Sequence, residues 1–143
     1  MNFTLLVLSN IFIIRYTLNV LAGLAIHTGI AEISDDHIVK WANEKVAGAG
    51  KTIKMKSFKD TNLKNSLFLM ELVAAIEPRA VNWDLVVRGD SFEDHMSNAK
   101  YVISNARKVG ACVFLTPEDI VEVKSKMILT FCASLWAADM VRF

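Results

Sequence analysis

TPEDIVEVKSKMILTFCASL, residues 116–135, joins a helix start, a basic break and a long apolar helix in one unit. The Thr116 side chain can accept from the backbone N–H three residues on, and Pro117 suits the first helical position. Glu118 and Asp119 place carboxylates against the unpaired amides of the first turn, so a short helix starts here. Lys124, Ser125 and Lys126 then interrupt the pattern. Residues 127–136 carry apolar side chains on nearly every face, as expected of a central helix buried all round.

A chain of 143 residues with 53% hydrophobic content can bury a real core as a single domain, with room for a helical extension. Read from the total, a net charge of +1 gives no electrostatic support for a nucleic-acid or general anionic-surface role. Specific protein surfaces stay open. Cys112 and Cys132 sit among apolar residues without CxxC spacing or a neighbouring histidine, so both read as buried, reduced thiols of an intracellular protein.

The one shift in composition is at the N-terminus, where residues 3–14 are almost unbroken apolar sequence before Arg15. A membrane span needs about 20 apolar residues and would place Arg15 and three asparagines in hydrocarbon. A signal peptide fits the length and finds small residues at Ala22, Gly23 and Ala25, but no Lys or Arg precedes the run. The reading preferred is an apolar helix within residues 1–26, packed on the rest of the chain or on a neighbouring domain. His27 and Thr28 make a polar step toward Gly29, with His27 a solvated linker residue, and the globular domain is expected over residues 30–143.

Working outward from the opening stretch, Ser34 reads as an N-cap with Asp35 and Asp36 in the first turn and Ile33 placed to pack on Ile38. Ile38, Trp41, Ala42 and Val46 then share one face of a helix ending near Gly48, leaving Lys40, Glu44 and Lys45 on the solvent side. Residues 48–64 hold a basic cluster of Lys51, Lys54, Lys56, Lys59 and Lys64, expected as an ordered loop whose Ile53 and Phe58 dip into the core. Leu67, Leu69, Met70, Leu72, Val73 and Ile76 predict a buried helix stopped by Pro78, followed by a turn or short helix at Asn82, Trp83 and Asp84. Ser91 opens another helix, with Met96, Ala99, Ile103 and Ala106 on one face and Gly110 as its stop after Arg107 and Lys108. No alternating run with hairpin turns appears, so the chain reads as all-α.

Catalytic patterns fail on spacing. GAGKT, residues 48–52, imitates the end of a phosphate-binding loop, but Lys45 stands where that loop needs its first glycine, and the stretch follows a helix rather than a strand. His27, His37 and His95 are scattered without ligand spacing, and the acidic pairs at 35–36 and 93–94 are explained by helix starts. No serine has a nucleophile-elbow context. The expectation is a binding or structural module, not an enzyme, with no cofactor or metal.

The order of elements over residues 33–140 resembles a calponin-homology domain. The residues that carry the likeness are ISDDHIVKWANEKV, SFKD, LFLMELVAAIEP, NAKYVISNARKVG and PEDIVEV. EPRAVNWDLV and the full LTPEDIVEVKSKMILTFCASL narrow the resemblance to the fourth, C-terminal calponin-homology domain of the fimbrin (plastin) family, and RYTLNVL resembles the helix that enters that domain. The apolar residues 1–14 depart from the family pattern, and the chain reads as a fragment or truncated product.

The resemblance implies a calponin-homology fold of four main helices with short connecting ones and an added N-terminal helix. It implies a non-catalytic, cytoplasmic, cytoskeletal module that binds F-actin beside a neighbouring calponin-homology domain in a filament cross-linker. From charge and composition, neither a nucleic-acid nor a membrane partner is expected. Other calponin-homology domains occur singly as scaffolds for non-actin partners, which is the alternative. The first helix of the domain is the part implied to lie near actin, which selects Lys40 and Lys45 as contact candidates, ahead of the loop lysines.

Overall fold

The computed structural model describes residues 3–141, with side chains from residue 15 onward. Two compact units divide the chain, one ending at Ile33 and the other beginning at Ser34. In the first, α1 (Phe3–Thr28) runs two residues further than expected, so His27 is exposed in its last turn rather than in a linker. The helix stops where Gly29 turns left-handed at φ 74° and donates its N–H to Ala25 O at 3.1 Å. Expectations for the side chains of residues 1–14 lie outside the described residues.

The second unit is built from α2 (Asp35–Gly48), α3 (Leu67–Ile76), α4 (Phe92–Lys108), the short α5 (Pro117–Val121) and α6 (Ser125–Met140). Three short 3₁₀ turns at Thr61–Asn65, Pro78–Ala80 and Trp83–Leu85 link them, and no strand occurs among the described residues. The four long helices are thus α2, α3, α4 and α6, the all-α arrangement expected. α2 packs on α3 and α6, and α4 packs on α3 and α5. Ile128, Phe131, Cys132, Ala133 and Leu135 of α6 are fully or almost fully buried, which makes it the central helix that its sequence demands.

Several helix ends follow from local chemistry. At α5 the Thr116 Oγ1 accepts from Asp119 N–H at 3.3 Å, while the Asp119 carboxylate accepts from Thr116 N–H at 2.9 Å. At the ends of α2 and α4, Gly50 (φ 84°) and Gly110 (φ 98°) take the left-handed position. There the N–H groups of Lys51 and Ala111 return to Val46 O and Ala106 O, at 3.3 and 3.1 Å. GAGKT is therefore a helix stop.

The same closing pattern ends α5 without a glycine. Val123 N–H reaches Ile120 O and Lys124 N–H reaches Asp119 O, both at 2.9 Å, with Val123 held at φ 53°. A β-branched residue pays a steric penalty there that glycine does not. The Lys124 ammonium, 3.3 Å from both the Asp119 and Glu122 carboxylates, ties the turn shut.

Two apolar expectations change. In the basic loop Phe58 is buried as expected, but Met55 goes inside and Ile53 stays 37% exposed. The cause is Asn43 of α2, whose side chain donates to Met55 O at 2.8 Å and accepts from Met55 N–H at 2.9 Å, fixing Met55 as the inward residue. In the link before α5, Cys112 is exposed between the buried Ala111 and the half-buried Val113. Only Cys132 is the buried thiol expected.

Candidate functional site

The outward face of α2 is fixed from within. Ser34 caps the helix by accepting from His37 N–H at 3.4 Å, and His37 Nδ1 accepts from Ser34 N–H at 2.9 Å. Sequence reading found the cap but not the histidine that completes it, since Glu or Gln is the usual partner at that position. Ile38, Ala42 and Val46 are entirely buried, so the helix cannot rotate without exposing them. Lys40 and Glu44 consequently stand in solvent, with Nζ 3.9 Å from Oε1 and side chains 74% and 68% exposed. A pair this open contributes little stability and leaves the ammonium available to a partner.

Lys45 does not share that setting. Its Nζ lies 3.1 Å from Oδ1 and 3.0 Å from Oδ2 of Asp139 on α6, and the two side chains are only 27% and 15% exposed. One turn earlier on both helices, Trp41 stacks on Trp136 with ring centroids 5.3 Å apart and planes 6° from parallel. An ion pair 94 residues apart in sequence leaves no local signal, which is why Lys45 reads as a free surface cation. The structure thus separates the two candidates: Lys40 projects outward, and Lys45 clamps α2 to α6.

Elsewhere the titratable groups are dispersed. His95 is buried on α4 with Nε2 3.0 Å from the Asp90 carboxylate, a single pair beside a helix start. Burial alone pushes the Cys132 thiol up to about 12, which keeps it protonated and unreactive. The Asp60 carboxyl is held below its ordinary range by the backbone N–H groups of Asn62 and then Lys56. Among the described residues no three His, Cys, Asp or Glu side chains gather as metal ligands. Among the residues whose side chains are described, no helix is long and apolar enough to cross a membrane.

Comparison with known proteins connects this arrangement to a family. The family model described as "Calponin homology (CH) domain" matches residues 32–140. Fimbrin-5 of Arabidopsis thaliana is 48% identical over 124 residues, 86% of this chain and 18% of that protein. Plastin-3 of Danio rerio is 46% identical over 129 residues, 90% of this chain and 20% of that protein. The chain therefore spans about a fifth of the length of these relatives. The crystal structure of the actin-crosslinking core of Schizosaccharomyces pombe fimbrin matches with a TM-score of 0.68 at 38% identity, covering 73% of this chain and 22% of that one. With fimbrins and plastins as relatives and the family pattern running through all four long helices of the second unit, this chain belongs to the calponin homology domain family.

Proposed function

We propose that this chain is a non-catalytic actin-filament-binding module, a second-type calponin-homology domain of a fimbrin-like cross-linking protein. The observation that carries the reading is its likeness, at 38% identity, to the actin-crosslinking core of a fimbrin. In this reading residues 30–143 are the binding domain, corresponding to the fourth and C-terminal one of its relatives, and it works beside a neighbouring calponin-homology domain in the cytoplasm.

The α2 face supplies the contact. Lys40 offers an exposed ammonium toward an acidic filament, where such charges raise encounter rate and fix register more than they add affinity. Lys45, held by Asp139, supports that face by clamping α2 to α6 rather than by offering its own ammonium to the filament. The test is co-sedimentation with F-actin of this chain joined to a matching first-type domain. Pelleting with filaments supports the assignment, and a fusion that stays in the supernatant refutes it.

A further inference from the structure

The two faces of α4 have different fates. His95, Ala99, Val102 and Ala106 turn into the core, while the opposite side, from Phe92 to Ser104, lines an open groove. Phe92 is 61% exposed there, beside the half-buried Met96 and Tyr101. The Tyr101 hydroxyl accepts from Asn82 N–H at 2.8 Å, which holds its ring as a fixed wall. Aromatic and methionine side chains on an open helix face are the types that protein interfaces concentrate.

Charge identifies the partner. Glu93 and Lys100 stand on this same stripe, because seven residues make almost two full turns. They lie about 10 Å apart along the axis, too far to pair with each other. No side chain three or four positions from either one carries the opposite charge, and among the described residues neither forms an ion pair.

A second α4 laid antiparallel, with a two-fold axis passing between Met96 and Ser97, removes both deficits. It brings Glu93 of each chain to Lys100 of the other, and Phe92 of each to Tyr101 of the other. One axis serves both pairs because they share a midpoint in the sequence, and the small Ser97 beside that midpoint lets the helices approach. Such self-complementarity is what a two-fold contact requires, and a different partner has no need of it. We propose that this face of α4 is an antiparallel, two-fold interface between two copies of the chain. About three turns of helix bury less than a standard interface of about 1,600 Å², so the dimer is weak, with a Kd of about 10–100 μM.

Sedimentation equilibrium of the whole chain, without actin, tests this. Between about 5 and 500 μM the mass of the parent rises from that of one chain toward that of two. Lys100→Glu and Glu93→Lys each bring like charges together on both sides of the axis, and each weakens association at least about tenfold. Glu93 lies in the first turn, where its reversal also disturbs the helix dipole, so the mid-helix Lys100→Glu is the cleaner of the two. Exchanging both charges in one chain restores association, and an equimolar mixture of the two single variants forms mixed dimers. A parent that remains one chain at every concentration overturns the proposal. So does association indifferent to both single changes, or a double exchange that fails to restore what they lost. If the parent stays monomeric and Phe92→Ser lowers the melting temperature only when the chain is joined to a first-type domain, the groove belongs to that neighbouring domain instead.

Discussion

Lys45 on α2 and Asp139 on α6 form an ion pair 3.0 Å long, mostly withdrawn from water and placed one turn beyond the Trp41–Trp136 stack. Stack and ion pair act on the same two helices, so the face that bears Lys40 is held at a fixed angle to the central helix. Lys45→Ala strands the Asp139 carboxylate in a partly dry site and is expected to cost about 1 kcal/mol, with weaker filament binding as well. Lys40→Glu changes a fully solvated site, so binding falls while the melting temperature moves by less than about 1 °C. Thermal melts paired with co-sedimentation separate the two effects. Equal melting shifts for both variants would contradict the division of roles.

Asn98 is the polar hub on the other side of the domain. Buried on α4, it donates to Asn65 O at 3.1 Å and Val87 O at 2.7 Å and accepts from Val87 N–H at 2.9 Å. Asn98→Ala leaves three backbone groups without their partner, and a loss of about 2–4 kcal/mol is expected in urea unfolding. Asn98→Asp retains the acceptor and loses both donated bonds, so it should lie no closer to the parent than about 1 kcal/mol.

Much of this domain can be read from neighbours in sequence, because caps and amphipathic faces are local. Thr116 with Asp119, Gly50, Gly110 and the apolar α6 all declare themselves within a few residues. What escapes notice depends on distant partners: Asn43 choosing Met55 over Ile53, Asp139 claiming Lys45, and Asn98 joining two loops. Val123 escapes for a different reason, since its left-handed backbone contradicts its propensity and is imposed by the turn between α5 and α6. For the candidate site, sequence supplies the helix and its two lysines, and only packing tells which one faces outward.

Ser66 bears strain that can be relieved. It enters α3 at φ 62°, is wholly buried, and its hydroxyl has no hydrogen-bond partner among the described residues. Ser66→Gly removes both penalties and gives back part of the gain through the freer unfolded chain, for a net stabilisation of about 1 kcal/mol. Ser66→Val should destabilise by more than about 2 kcal/mol, because the added methyls meet both a closed core and a disfavoured backbone. Chemical denaturation of the two variants gives opposite signs if the geometry is right.

Cys132 makes alkaline stability a direct readout of burial. Its folded pKa, raised to about 12 by desolvation, exceeds the ordinary value of 9.0, so the native state retains a proton that the unfolded chain releases. The stabilisation is complete below pH about 9 and is lost as pH rises toward 12, with a slope approaching about 1.4 kcal/mol per unit. Cys132→Ala should flatten that slope by its own share. Under native conditions a thiol reagent should modify Cys112 rapidly and reach Cys132 only on unfolding.

The filament affinity of a first-type calponin-homology domain, measured alone and then joined to this chain, tests the central claim most directly. A binding module predicts at least about tenfold tighter co-sedimentation with F-actin for the joined form, and loss of most of that gain with Lys40→Glu. Identical affinities for the single and joined forms would contradict it.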